Sequence, residues 1–183
     1  MSNKLVVVCG ATGGQGGSVV KALLADGRFA IRGLTRDVDS AASKALAAQG
    51  VEMVFGLPAD KDTLLKAFKG AYAVFGVTIP GFVPGPPNDY DQGKNIVDAC
   101  KANDVPLFVW SSLPHVSESS GGKYTMVTAF DQKAEVDKYI KSVEQPAVVL
   151  KTGGFVSKCI FPILLIINVS LSRQHNQLPS AAT

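Results

Sequence analysis

Short runs of apolar residues alternate along the chain with longer segments in which apolar positions recur every three or four residues. The short runs are typical of strands buried on both faces of a sheet, and the longer segments are typical of amphipathic helices. The predicted strands are Lys4–Cys9, Phe29–Leu34, Val51–Phe55, Tyr72–Val77, Pro106–Trp110 and Ala147–Leu150. The predicted helices are Gln15–Asp26, Ser40–Ala48, Lys61–Phe68, Tyr90–Ala102 and Val127–Ser142.

Strict alternation of strands and helices predicts an α/β fold of the Rossmann type. We expect a doubly wound parallel sheet in three α/β/α layers, with right-handed crossovers and strand order 3-2-1-4-5-6. Two long loops, 78–89 and 111–126, follow the carboxyl ends of predicted strands. Open α/β sheets bind ligands at that edge, so the loops are predicted to border a site rather than to be ordinary surface loops.

The composition changes after Lys158, because residues 159–183 contain a single charged residue, Arg173. The uncharged run 159–171 would extend only about 20 Å as a helix, against about 30 Å of bilayer hydrocarbon. We therefore expect no membrane anchor. Residues 1–158 are predicted to form the nucleotide-binding domain, and 159–183 an apolar and then disordered tail.

Length, net charge and cysteine spacing exclude several classes of protein. The length of 183 residues suits one domain with a sizeable core. The net charge of +3 comes without a basic stripe, so direct nucleic-acid binding is not expected. Cys9, Cys100 and Cys159 are too far apart for a zinc motif or a disulfide framework. Because no signal peptide precedes the first strand, we predict a cytoplasmic protein that can also reside in the nucleus. No metal site is predicted.

The segment Gly10-Ala11-Thr12-Gly13-Gly14-Gln15-Gly16 connects the first strand to the first helix. Glycines at this turn allow a tight bend, let the backbone approach a phosphate and let the helix start close to the strand. The helix N-terminus then offers free N–H groups and a partial positive charge. The GxxGxxG spacing in this context predicts a site for a dinucleotide pyrophosphate.

The end of the second strand indicates which dinucleotide is bound. NAD enzymes place an acid there to bind the ribose 2′-hydroxyl, but this strand ends in Thr35 and Arg36. A guanidinium can bind the 2′-phosphate of NADP(H) with two hydrogen bonds, and Arg32 is a possible second cation. Asp37 is the counter-evidence, because it can pair with Arg36 or repel the phosphate. NADP(H) is the predicted cofactor.

Several ordered segments identify a family resemblance: KLVVVCGATGGQGGSVVKALLADG, VFGVTIP, QGKNIVDACKANDVPLFVWSSL, TAFDQKAEVDKYIK and KTGGF. Together they resemble the NmrA-like family of the atypical short-chain dehydrogenase/reductase superfamily, from about Asn3 to Phe155. The resemblance implies a Rossmann domain that binds NADP(H). The cofactor-binding residues that it implies are Gly10, Thr12, Gly13, Gln15, Gly16, Arg36, Val77, Thr78, Lys133, Gly154 and Phe155.

The chain also departs from the superfamily pattern. A catalytic tyrosine is expected four residues before Lys133, where it would protonate a carbonyl oxygen, but that position is Ala129. Tyr124 and Tyr139 do not have the helical spacing that would replace it. The family also continues well beyond this point into a smaller substrate- or partner-binding region, which the apolar tail replaces here.

Three function hypotheses follow. The first is a non-catalytic NADP(H)-binding regulator or redox sensor, because the family includes regulators that bind transcription factors. Its partner would be a transcription factor or another regulatory protein, with homo-oligomers possible. The second is an NADPH-dependent reductase in which Lys133 is the catalytic residue, with Ser111 or Ser112 polarising a carbonyl and His115 as a conceivable acid. The third is a truncated, non-functional product.

Overall fold

Seven strands and six helices make up the part of the chain that the structure describes. The structure is a computed structural model, and it describes residues 3–79 and 87–153 together with the backbone of 168–170. The strands are β1 (Lys4–Val8), β2 (Phe29–Thr35), β3 (Glu52–Phe55), β4 (Ala73–Gly76), β5 (Leu107–Ser112), β6 (Ala147–Lys151) and β7 (Asn168–Ser170). The helices are α1 (Gly14–Asp26), α2 (Ala41–Ala47), α3 (Lys61–Ala67), α4 (Asp89–Ala102), α5 (Val116–Ser119) and α6 (Thr128–Ser142).

The strands form one sheet in the order β3-β2-β1-β4-β5-β6-β7. Strands β1 to β6 are parallel, and β7 runs antiparallel to β6, with Leu150 opposite Val169. The predicted order 3-2-1-4-5-6 is confirmed. The order reverses between β1 and β4, and in open parallel sheets a crevice forms at such a switch point.

Side chains of alternate strand residues fill two apolar cores, one on each face of the sheet. Val7 belongs to the core that α3, α4 and α6 cover, with Leu64, Ile96 and Val136. Val6 and Val8 belong to the core on the opposite face, which receives Val20 from α1. Because both faces of the sheet are covered, the strands are continuous apolar runs, and the predicted three-layer architecture is confirmed.

Local signals in the sequence account for most helix ends. Asn88 and Asp91 form a capping box at the start of α4, and the Asp60 side chain accepts two backbone N–H groups at the start of α3. Gly27 ends α1 in the left-handed conformation, with φ of 72°. All five predicted helices and all six predicted strands are present, with ends within two residues of the predicted ones.

Two elements were not predicted from the sequence. The loop 111–126 contains the short helix α5, and the predicted apolar run 159–171 contributes β7. Every helix in the described ranges is too short or too polar to cross a bilayer. Cys9 and Cys100 are buried and unpaired, and burial raises the pKa of the Cys9 thiol to about 12. Both therefore behave as small apolar residues, and Cys159 lies outside the described residues.

Candidate functional site

A cleft of about 540 Å³ opens at the carboxyl ends of the central strands. It lies at the switch point between β1 and β4, and residues from both long loops contribute to it. Its lining residues are Gly10, Thr12, Gly13, Gly14, Gln15, Gly16, Leu34, Thr35, Arg36, Gly56, Pro58, Val77, Thr78, Ile79, Ser111, Leu113, Phe130, Lys133, Thr152 and Gly153. Nine of the eleven cofactor-binding residues that the family resemblance implied are in this set. The other two, Gly154 and Phe155, lie outside the described residues.

The glycine-rich turn forms one wall of the cleft. Gly10 has φ of 62°, a conformation that L side chains rarely adopt, and its carbonyl accepts the Gly13 N–H at 2.8 Å. A Cβ atom on Gly16 would lie 2.2 Å from the Gly10 oxygen and 2.7 Å from the Cys9 oxygen. Glycine at position 16 therefore allows α1 to start directly against the end of β1.

The N-terminus of α1 faces this cleft without a side-chain cap. Gly13 is the N-cap residue and makes no side-chain hydrogen bond, and the first turn contains no acidic residue. Helices α3 and α4 begin differently, since each has a capping side chain and an acidic residue in its first turn. An uncapped first turn leaves backbone N–H groups and the positive end of the helix dipole available to an anion.

The turn after β2 places Arg36 at the other side of the cleft. Arg36 is exposed and lines the cleft beside Thr35. The Asp37 carboxylate accepts the Asp39 N–H at 2.9 Å, and the Asp37 carbonyl accepts the Ser43 hydroxyl at 2.7 Å. Asp37 is thus engaged within its own turn, and among the described residues it forms no ion pair with Arg36.

Arg32 is placed away from the cleft, so its interpretation as a second phosphate-binding cation was wrong. Its Nε donates to Glu52 at 2.9 Å, and its Nη1 donates to the carbonyls of Ala67 and Lys69 at 2.7 and 3.1 Å. Arg32 lies three residues before the carboxyl end of β2, opposite Glu52 of the neighbouring strand. It therefore joins β2, β3 and the end of α3 instead of facing a cofactor.

Lys133 is the buried charged residue of the cleft. Its side chain comes from α6 and the residue is only 8% exposed. The ammonium group donates to the Thr78 hydroxyl and lies 3.3 Å from the Asp89 carboxylate. The Trp110 ring centroid is 5.2 Å from the same nitrogen. Burial lowers the pKa of Lys133, and the Asp89 carboxylate opposes that shift.

Thr78 connects the two charged groups. Its hydroxyl donates to Asp89 while it accepts from Lys133, so both of its hydrogen-bonding directions are used. Thr78 follows β4, Asp89 begins α4 and Lys133 lies on α6. Three elements thus converge on one polar cluster in an otherwise apolar part of the cleft, beside Phe130 and Ile79.

Sequence reasoning gave Asp89 no role. An acidic residue at the start of a helix is ordinarily an exposed capping or dipole-stabilising residue, and no spacing rule links position 89 to position 133. The structure buries Asp89 to 2% exposure. The only signal in the sequence was its place at the end of the proline-rich loop that was predicted to border a site.

Of the residues that were expected to polarise or protonate a carbonyl, only Ser111 lines the cleft. Ser111 lines it and donates to the Gln15 side chain at 2.7 Å, whereas Ser112 donates to backbone carbonyls of Leu113 and Lys133. His115 is not a lining residue. Its imidazole caps α5 and lies 3.1 Å from Asp131 and 3.0 Å from Glu135. The structure therefore does not support His115 as an acid for a substrate in this cleft.

The Ala129 methyl group stands where the superfamily tyrosine was expected. Ala129 is exposed in the first turn of α6, and the adjacent Phe130 lines the cleft. Neither Tyr124 nor Tyr139 is among the lining residues, and the Tyr139 hydroxyl donates to Asp98 at 2.6 Å. Within the described residues, the cleft therefore contains no tyrosine hydroxyl.

The curated relatives of this chain include fungal oxidoreductases. The chain is 41% identical over 143 residues to the NmrA-like family domain-containing oxidoreductase notA of Aspergillus sp. (strain MF297-2), and 37% identical over 144 residues to the oxidoreductase FrzB of Cladobotryum sp.. These matches cover 75% and 76% of this chain but only 42% of each relative. The chain thus spans less than half the length of these two relatives.

Solved structures share the fold. The Citrobacter sp. triphenylmethane reductase complexed with NADP(H) superposes with a TM-score of 0.69 at 22% identity, over 84% of this chain and 50% of that one. NmrA, a negative transcriptional regulator solved in complex with NADP, superposes with a TM-score of 0.68 at 22% identity, over 81% of this chain and 45% of that one.

The sequence model of the NmrA-like family matches residues 2–176, a range that includes the glycine-rich turn, Arg36, Lys133 and the strand β7. This match covers nearly the whole chain, and it agrees with the resemblance that the motifs carried and with the names of the curated relatives. The chain belongs to the NmrA-like family.

Proposed function

We propose that this chain binds NADP(H) in the cleft at the carboxyl ends of β1, β2 and β4. The observation that carries the proposal is the pairing of two cationic features across one cleft. The uncapped α1 N-terminus stands on one side and Arg36 on the other. The first suits a pyrophosphate and the second a 2′-phosphate. The NADP(H) complexes of two proteins with this fold support the same cofactor.

The cleft also fits the remainder of such a cofactor. Because Gly10, Gly13 and Gly16 carry no side chains, phosphate oxygens can approach the backbone of the turn, and Lys133 offers a donor for ribose hydroxyls. Leu34, Gly56 and Pro58 provide an apolar edge beside Arg36. Bound NADPH would supply a hydride, and the residues of this chain would hold and orient it.

Cofactor binding is tested by thermal unfolding with NADPH. A ligand at about 100 times its Kd adds about 2.7 kcal/mol, which for a protein of this size raises Tm by roughly 5–10 °C. No shift at saturating NADPH and NADP would contradict the proposal.

The 2′-phosphate assignment is tested by Arg36→Ala. Loss of a charge-assisted hydrogen bond is worth about 1.5–3 kcal/mol, so NADPH affinity should fall roughly ten- to hundred-fold while NADH affinity changes little. Arg28→Ala is the matched control, because Arg28 is exposed and paired with Asp26 outside the cleft. Equal weakening of both cofactors by Arg36→Ala would refute the assignment.

We further propose a non-catalytic role in which cofactor occupancy changes an interaction with a transcription factor or another regulatory protein. The supporting observation is the absence of a tyrosine hydroxyl from the described part of the cleft, with Ala129 at the expected position. We place this regulator or redox sensor in the cytoplasm, or in the nucleus with its partner, with residues 1–158 as the nucleotide-binding domain. Homo-oligomers of the chain are part of the same proposal.

An NADPH-dependent reductase is the second candidate, and the names of the curated relatives favour it. Lys133 would then be the catalytic residue, because its amine is the titratable group buried in the cleft. The assay is steady consumption of NADPH with quinones or enones. The regulatory role predicts none, whereas consumption that Lys133→Ala abolishes and Lys141→Ala preserves would establish the reductase.

A further inference from the structure

The Asp89 carboxylate is buried at the back of the proposed cofactor cleft and faces the Lys133 ammonium group. We propose that Asp89 is a positioning residue that keeps Lys133 protonated and aimed into the cleft. The consequence for NADP(H) rests on the proposed function, whereas the effect on Lys133 itself does not. An amine held as a cation can donate to ribose hydroxyls throughout the physiological pH range.

Burial alone would favour the neutral amine, because removing an ammonium group from water costs free energy. Three groups face the Lys133 nitrogen among the described residues: Asp89 from α4, Thr78 from the end of β4 and the Trp110 ring from β5. Only Asp89 carries a charge. Asp137, one turn further along α6, lies near Ser112 and Lys151 instead.

The Thr78 hydroxyl connects the two charged groups. It donates its one proton to Asp89, and its oxygen accepts a hydrogen bond from Lys133. A carboxylate, which only accepts, and an ammonium group, which only donates, complement this arrangement. The charged pair is therefore held together by a shared hydrogen-bond partner as well as by its own 3.3 Å contact.

Hydrogen bonds to the backbone also hold Asp89 and the start of α4 in place. The Asp89 N–H donates to the Gln132 side chain at 3.2 Å, so adjacent residues of α6 bind both the backbone and the side chain of Asp89. Gln92 binds the N–H and carbonyl of Ile79 and the carbonyl of Pro87, which joins both ends of the intervening loop to α4.

An ordinary helix-capping acid contacts only the first turn of its own helix. Asp91 is such a residue, because it is half-buried and its carboxylate accepts the N–H of the N-cap residue Asn88. Asp89 instead is 2% exposed and contacts side chains of two other elements. The pair Asp89 and Asp91 therefore provides a matched comparison, with equal charge and nearly equal distance from the helix dipole.

The direct test follows the titration of Lys133 by NMR in the cofactor-free protein with ¹³C-labelled lysine, the signal being assigned with Lys133→Arg. Asp89→Asn should lower the midpoint of the Lys133 titration by about one pH unit or more, since an opposite charge at this distance has effects of that size. Asp91→Asn should leave it unchanged. An unchanged midpoint in Asp89→Asn would overturn the inference.

Wild-type protein provides a measurement that does not depend on the folding of the variant. The ¹³C signal of Lys133 in the wild-type protein should remain that of a protonated amine throughout the physiological pH range. Deprotonation of Lys133 within that range would overturn the inference as well.

The final test measures NADPH affinity against pH. Asp89→Asn should lose affinity at a lower pH than wild type and Asp91→Asn, and should have no further effect in a Lys133→Met background. If the Lys133 midpoint falls but no protein binds NADPH, the proposed function fails and the role of Asp89 stands. If NADPH binds while the Lys133 midpoint is unchanged, the role of Asp89 fails and the proposed function stands.

Discussion

Gly16→Ala tests the close approach of α1 to β1 on which the candidate site is built. The added Cβ would lie 2.2 Å from the Gly10 oxygen and 2.6 Å from the Gly10 carbonyl carbon. Ordinary contacts between such atoms are about 3.5 Å, so the start of α1 must move by about 1 Å or more. These neighbours are backbone atoms, which cannot rotate away as a side chain would.

The energetic cost follows from two opposing effects. Overpacking of a core costs about 1–3 kcal/mol, and a backbone clash belongs at the upper end of that range. Alanine gains about 1 kcal/mol over glycine inside a helix. The net loss of unfolding free energy is therefore about 2 kcal/mol, or roughly 4–8 °C in Tm for a chain of this size. NADPH affinity should fall about tenfold or more, because displacement of the turn removes hydrogen bonds to a charged group.

Gly17→Ala is the matched control for this prediction. It makes the same change one residue later, but its Cβ would be 3.3 Å from the Ala11 oxygen, a contact that a small adjustment relieves. We expect its unfolding free energy to stay within about 1 kcal/mol of wild type. Chemical denaturation and NADPH titration of both variants provide the comparison. A Gly16→Ala protein with wild-type stability and NADPH affinity would refute the reasoning.

Two further predictions concern residues outside the cleft. Arg32→Ala should lower the unfolding free energy by about 1–3 kcal/mol, because the carbonyls of Ala67 and Lys69 lose their donor. NADPH affinity, measured by titration, should not change. Weakened NADPH binding would show that Arg32 belongs to the binding site. Burial raises the pKa of Asp98, but hydrogen bonds from Tyr139, Lys94 and Lys61 outweigh burial and hold that pKa at about 2. Because this pKa is depressed in the folded state, the stabilisation is present above about pH 4 and is lost as pH falls toward 2. Asp98→Asn should remove about 1 kcal/mol at neutral pH, after screening, and flatten the acid side of the stability profile measured by denaturant unfolding; an unchanged acid side would contradict this assignment.

The fold followed almost entirely from local patterns in the sequence. Buried parallel strands must be continuous apolar runs, and the helices that cover them must have an apolar stripe, so both periodicities are written into the chain. The antiparallel strand β7 was not predicted, because a strand of three residues has no periodicity of its own. Its place is set by hydrogen bonds to β6.

The positions of residues that follow directly after a strand were predicted correctly, whereas the positions of residues whose partners lie far away along the chain were not. The glycine-rich turn and Arg36 could be placed at one cleft because each follows directly after a strand of known order. Arg32 was misplaced because it lies in the middle of β2, away from the carboxyl end, and its partners at 52, 67 and 69 come from other segments. His115 was misplaced because its partners Asp131 and Glu135 lie on a different helix.

The sequence by itself determined the sheet order, the turn that suits a pyrophosphate and the absence of a tyrosine at position 129. These depend on residue type at positions whose spacing is fixed by strand and helix geometry. Only the tertiary structure decided that Asp89, Thr78 and Lys133 meet, since 11 and 55 residues separate Thr78 from its two partners along the chain. Buried charge pairs form where packed elements bring them together, and neither periodicity nor composition specifies that meeting.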